Sequence, residues 1–125
     1  MRVLCAAAIA CCLGAVLSAT EGHAGEVAIV DARAVAGGDG RFTFHVTLEH
    51  GDTGWEHYAD KWEVLAPDGT VLGTRVLLHP HENEQPFTRS LSEVEIPTGV
   101  SSVAIRAHDL VHGDAPQTFA IELER

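Results

Sequence analysis

The chain has 125 residues, 46% of them hydrophobic and 21% charged, and its 8 Lys+Arg against 18 Asp+Glu give a net charge of −10. A surface that acidic repels nucleic acid and anionic bilayers, so neither is expected as a partner. The length suits one domain and leaves no room for a second of ordinary size.

Met1-Arg2 makes a basic start, and Val3 to Leu17 then run without a charge. That order is the order of a secretory signal peptide. A membrane anchor needs about 20 apolar residues. Glu21 arrives too soon, after a stretch diluted by Ala and Gly, so no membrane insertion is expected. Gly22-His23-Ala24 puts small residues where a signal peptidase needs them, with Ala19 as a less regular second choice. Residues 1–24 are therefore read as a signal peptide and 25–125 as one domain, periplasmic or secreted. Ala8-Ile9-Ala10-Cys11 resembles a lipoprotein cleavage box, but the apolar stretch before it is short for one. Cleavage after Ala24 removes Cys5, Cys11 and Cys12, and takes Arg2 and Glu21 together, so the charge is unchanged. A secreted domain without thiols is held by its core alone.

From Glu26 onward the apolar residues recur with period two, and no stretch has the i, i+3, i+4, i+7 spacing of an amphipathic helix. The domain is expected to be all-β. Val27, Ile29 and Val35 mark a first strand, followed by the turn Gly37-Gly38-Asp39-Gly40. In the next strand, Arg41 to Glu49, Phe42, Phe44, Val46 and Leu48 share one face while Thr43, His45, Thr47 and Glu49 share the other, so the apolar face is core. A loop from His50 to Tyr58 leads to a third strand, Lys61 to Leu65, with Trp62 and Val64 inward. Pro67-Asp68-Gly69-Thr70 is a tight turn in which Pro fixes φ and Gly takes the positive-φ position. Val71 to Leu78 is the fourth strand, His79 to Pro86 a loop, and Phe87 to Val94 the fifth strand. Ile96 to Val100 turns into Ser101 to Ala107, with Val103 and Ile105 inward; His108 to Pro116 is a loop, and Gln117 to Leu123 closes the domain.

Seven short strands separated by turn signals read as an antiparallel β-sandwich of immunoglobulin or fibronectin III type, in its disulfide-free form. Consecutive strands that run antiparallel place successive connections at alternate ends. By that parity the six loop histidines, His50, His57, His79, His81, His108 and His112, fall at one pole and the opposite pole has none. His45, on the polar face of its strand, is assigned to the surface.

Neutral imidazole is a common ligand for zinc, copper and nickel, and three or four rings from different loops can complete a site. In His79-Pro80-His81 the two rings project from the same side of an extended segment, about 6.6 Å apart at the backbone. His79, His81, His108 and His112 make the preferred ligand set, with His50 or His57 as a further partner, and Glu82, Glu84, Asp109 or Asp114 able to supply an oxygen or orient a ring. Without Met or Cys after cleavage, Zn(II), Cu(II) or Ni(II) are the candidate ions rather than Cu(I). The alternative is an envelope protein-interaction or ligand-recognition module with no metal, in which Trp55 and the loops form the contact surface and the histidines colour its pH response. Trp62 is expected in the core, and Arg89, if it alternates toward the core, needs a partner such as Glu84 or Asp109. There is no G-x-S-x-G, no thiol outside the first two dozen residues and no phosphate-cradling loop, which leans against an enzyme.

Two stretches, Trp62-Glu63-Val64-Leu65-Ala66-Pro67-Asp68-Gly69-Thr70 and His79-Pro80-His81-Glu82-Asn83-Glu84-Gln85-Pro86-Phe87-Thr88-Arg89-Ser90, resemble a group of small, signal-peptide-bearing proteobacterial proteins without assigned function. Ile96-Pro97-Thr98-Gly99-Val100 and Ala107-His108-Asp109 to His112-Gly113 are similar to theirs too. The resemblance runs from about Phe44 to Leu123 and implies a periplasmic location and one sandwich domain. It implies no activity or ligand.

Overall fold

A computed structural model describes residues 26–125 of the chain. The expected signal peptide, with Cys5, Cys11 and Cys12, lies outside the described residues. Among those described there is no helix. The strands are β1 (Ala28–Gly38), β2 (Arg41–Glu49), β3 (Ala59–Leu65), β4 (Val71–Val76), β5 (Phe87–Glu95), β6 (Ser102–Asp109), β7 (Gly113–Asp114) and β8 (Phe119–Glu122). They form two antiparallel sheets: β1-β2-β5, and β4-β3-β6 with β7 and β8 both pairing β6.

The period-two stripes explain how the sheets meet. Phe42, Phe44, Val46 and Leu48 of β2 are buried, as are Trp62 and Val64 of β3 and Val103, Ile105 and Ala107 of β6, and all belong to one apolar cluster. β2 and β6 bury alternate residues and leave those between partly open, while β3, central in its sheet, buries Trp62 to Leu65 on both faces; two such apolar stripes exclude water only by facing each other. The other face of β2 is polar and pairs with β5: His45 Nδ1 lies 2.7 Å from Ser90 Oγ, and the Thr47 and Thr88 hydroxyls are 2.7 Å apart. In the β3–β4 turn Gly69 has φ +90°, the left-handed conformation that a residue without Cβ adopts at little cost.

Among the described residues there are eight strands where the sequence predicts seven. The addition is β7, a two-residue piece within the expected His108–Pro116 loop. Gly113, at φ +75°, turns the chain back so that Gly113 and Asp114 pair Asp109 and His108. Four residues later β8 resumes along the same edge, with Phe119 opposite Ile105 and Glu122 opposite Ser102. β7 and β8 are thus two halves of one interrupted edge strand, and the alternation of loops between poles survives the extra element. A pairing of two residues is too short to leave a hydrophobic period. A second irregularity sits in β5, where three steps from Leu91 to Val94 oppose two from Phe44 to Phe42, and the extra residue is accommodated with Glu93 at φ 59°.

Candidate metal centre

The site grows out of the same alternation that builds the core. On β2 the inward positions are Phe42, Phe44, Val46 and Leu48, and the next in phase is His50. On β6 they are Val103, Ile105 and Ala107, and the next is Asp109. The apolar stripe of each sheet therefore ends, at the same pole, in a buried polar side chain. His57 joins them from the β2–β3 loop, which is folded tightly on itself by Thr53 N–H donating to the His57 carbonyl at 3.0 Å and His57 N–H to the Gly54 carbonyl at 3.2 Å.

His50, His57 and Asp109 each offer a ligand atom, and those atoms lie within 4.8 Å of one another. His57 Nε2 is 3.3 Å from Asp109 Oδ1, and His50 Nε2 is 3.8 Å from Asp109 Oδ2. Ligand atoms held at zinc–nitrogen and zinc–oxygen distances in a tetrahedral site stand about 3.4 Å apart, so these spacings need only a small closure to hold an ion. The His57 Nε2 atom is buried and has no hydrogen-bond partner among the described residues, a cost a protein ordinarily avoids unless something else meets that nitrogen. The rings of His50 and His57 meet edge to face at 4.8 Å between centroids, and those of His57 and His112 at 5.0 Å.

Asp109 is held by its own loop. Oδ1 accepts the backbone N–H groups of Val111 at 2.8 Å and His112 at 2.7 Å, and the His112 ring lies 3.1 Å and 3.2 Å from the two oxygens through Nδ1. Burial pushes the Asp109 carboxyl up, but the hydrogen bonds from His112 and Val111 and the His112 ring together hold it below the usual carboxylate range. An ionised carboxylate in this place has Oδ2 left to face His50. On the far side of His50, Nδ1 is hydrogen-bonded to Asp52 Oδ1.

The other candidate histidines lie in different surroundings. His81 is buried beside Asp52, its ring stacked on Phe87 at 3.9 Å, and its Nε2 lies 3.0 Å from Arg89 Nη2, so it accepts from the guanidinium and has no lone pair there for an ion. Arg89 completes its pairing with Glu84 at 3.1 Å. Burial, then Arg89 and His79, hold the His81 ring below the ordinary histidine range against the pull of Asp52 and Glu84. His79 is exposed, with Nδ1 2.9 Å from the Pro80 carbonyl and its ring 4.6 Å from that of His81. His108 is on the opposite face of β6 from Asp109 and pairs with Asp60 through Nδ1 at 2.5 Å. The set His79, His81, His108 and His112 is thus not brought together, whereas His50 and His57, ranked behind them in the sequence, are. The missed signal was phase: His50 continues the β2 stripe and Asp109 the β6 stripe, while His108 is out of phase.

Around this cluster the same loops expose apolar side chains. Trp55 is 65% exposed and leans edge-on against Tyr58 at 5.7 Å; Leu78, Leu110 and Val111 are exposed as well, and Leu110 N–H donates to the Tyr58 carbonyl at 3.2 Å. Trp62 is fully buried, as its strand position predicts. Among the described residues no helix is long and apolar enough to cross a membrane.

In comparisons with known proteins, the chain is similar to a protein of Halomicrobium mukohataei named "Putative lipoprotein", with 40% identity over 99 residues. The match takes in 79% of this chain and 48% of the relative, so the chain spans about half the length of the curated relative it matches. No protein-family profile matches the chain. No solved structure matches it either.

Proposed function

We propose that this is a periplasmic or secreted protein that binds one divalent transition-metal ion, Zn(II), Cu(II) or Ni(II), through His50, His57 and Asp109, with His112 beside them as a fourth donor, and that it stores or hands over the ion without catalysing a reaction. The observation that carries the reading is the convergence of two imidazole nitrogens and a carboxylate within 4.8 Å, at the end of the core, with one nitrogen buried and without a hydrogen bond among the described residues. Two imidazoles and one carboxylate suit these borderline ions and leave coordination positions open. Asp52, the carboxylate bonded to His50 Nδ1, is taken up by that ring and by the Ala59 and His81 amides and so is not a free general base. The order of the strands, β1-β2-β5 against β4-β3-β6-β8, supports an immunoglobulin/fibronectin III-like sandwich. The name of the relative supports an envelope location and a signal peptide, which ends at residue 24 or, where Cys11 carries a lipid, at residue 10. Radiolabelled palmitate incorporated by the native chain and lost in Cys11→Ser would establish that attachment; no label in either would remove it.

The metal reading is tested by thermal unfolding with EDTA and with Zn(II). An ion present at a hundredfold above its Kd stabilises the fold by about 2.7 kcal/mol, equivalent to a rise in Tm on the order of 10 °C for a domain of this size. The His50→Ala/His57→Ala double variant should lose that rise. Equal Tm with EDTA and with zinc in the native chain removes the proposal and favours the second reading, an envelope interaction module, which rests on the exposed Trp55, Leu78, Leu110 and Val111 around the same pole.

A further inference from the structure

The most conspicuous histidine motif of the sequence, His79-Pro80-His81, ends up attached to the metal-site residues by a buried carboxylate and a neighbouring side-chain amide. The Asp52 side chain is fully buried. Its Oδ1 accepts from His50 Nδ1 and from the backbone N–H of Ala59 at 3.1 Å, and its Oδ2 accepts the backbone N–H of His81 at 2.6 Å. Three segments thus hang on one group: the β2–β3 loop, the start of β3 and the β4–β5 loop. Gln85 makes a parallel tie, accepting the His50 N–H at 2.9 Å through Oε1 and donating to the His81 carbonyl at 3.0 Å through Nε2.

We infer that Asp52 is the positioning residue of the metal site and that it couples occupancy of the site to the β4–β5 loop at 77–86; this rests on the metal-binding reading above. A carboxylate that accepts the proton of Nδ1 fixes the tautomer of His50, so that Nε2 presents its lone pair toward Asp109, and makes the ring a better donor to an ion. An ion bound at Nε2 fixes the His50 ring and, through the Nδ1 bond, the Asp52 carboxylate. A carboxylate held in place lets the Ala59 and His81 amides that donate to it open less often. The β4–β5 loop, whose surface carries Leu78, His79, Glu82 and Glu84, thereby reports whether the site is loaded. The H-x-H motif belongs to the responding surface, and its rings are not ligands.

The test uses the full chain with Cys5, Cys11 and Cys12 replaced by serine, so that no thiol competes for the probe, and zinc chloride alone as that probe. Hydrogen exchange is followed amide by amide with and without zinc, and zinc affinity is measured calorimetrically in this chain and in its Asp52→Asn and His79→Ala forms. Zinc should slow exchange at the His81 and Ala59 amides. Asp52→Asn should weaken zinc binding by about 10- to 100-fold, and His79→Ala should leave it unchanged. The ring nitrogen shifts of His50 should report a single Nδ1–H tautomer, lost in Asp52→Asn, a change that a purely structural role would not produce. Unchanged zinc affinity in Asp52→Asn overturns the inference while leaving the metal site standing. So does unaltered exchange at His81 in the chain with Asp52 intact, which decides the matter even if the variant does not fold. A chain with Asp52 intact that binds no zinc overturns the metal site itself, and the coupling with it.

Discussion

Replacing Asp109 separates its two roles, because the structural and ligand contributions respond differently to asparagine and alanine. Asp109 is almost wholly buried, and Oδ1 satisfies two backbone donors, Val111 at 2.8 Å and His112 at 2.7 Å. In Asp109→Ala both N–H groups lose their acceptor, at a cost of about 1–3 kcal/mol each, so the metal-free domain should be destabilised by about 2–6 kcal/mol. Asp109→Asn keeps an oxygen in the place of Oδ1 and loses only the charge assistance of those bonds, about 1 kcal/mol. Both variants lose the anionic ligand. Equilibrium denaturation in urea with EDTA should therefore rank native, Asp109→Asn and Asp109→Ala in descending stability, with the two variants well separated. Calorimetric titration with zinc should find binding weakened by at least 100-fold in both. Native zinc affinity in Asp109→Asn would refute the assignment of this carboxylate as a ligand, and equal loss of stability in the two variants would refute the account of its backbone bonds.

Acid sensitivity follows from two groups whose folded values are depressed. The His81 ring is held below its ordinary value of about 6.5, so the unfolded chain takes up the proton first; the stability it contributes is complete above about pH 6.5 and is lost as pH falls through its folded value. Asp109 acts in the same sense lower down, from about pH 4 downward. Urea midpoints of the metal-free domain should fall between pH 7.5 and 5.5, and His81→Gln should flatten that fall; an unchanged slope would contradict the His81 assignment. In the core, Phe44 is fully buried and Phe44→Ala should cost about 3–5 kcal/mol by denaturation, a loss under 1 kcal/mol being incompatible with its packing. A Cβ at Gly73 would stand 3.0 Å from Leu91 Cδ2 and 3.3 Å from both methyls of Val94, so Gly73→Ala should destabilise by about 1–3 kcal/mol despite its better β propensity, and a stabilised variant would contradict the close packing of β4 on β5.

The fold was legible wherever one strand face is buried and the other is wet. Arg41 to Glu49 alternates without a break, and its limits agree with the observed β2. Trp62 and Arg89 also lie as their positions suggest, the one buried and the other paired with Glu84. What escaped was short or long-range. The two-residue β7 leaves no period, and the Glu93 irregularity depends on the register with β2, which no local pattern encodes. The convergence of loop histidines was visible from strand parity, because connection count alone decides the pole. Which rings face inward was legible only at His50 and His108, where the phase of β2 and β6 runs on; His57, His79, His81 and His112 lie in loops that carry no strand phase. His81 shows the consequence: its neighbour in the H-x-H motif is exposed, while its own ring is stacked on Phe87 and bonded to an arginine eight residues away.

The central claim is that the donors are His50, His57 and Asp109 and that His79 and His108 stand apart from them. Calorimetric titration with Zn(II) at pH 7.5 of the cysteine-free chain, the His50→Ala/His57→Ala pair and the His79→Ala/His108→Ala pair tests it most directly. The account predicts one ion per chain in the first and last proteins with similar affinity, and no saturable binding in the His50/His57 variant. Retained binding in that variant, or its loss in the His79/His108 variant, would contradict the account and place the site elsewhere on the pole.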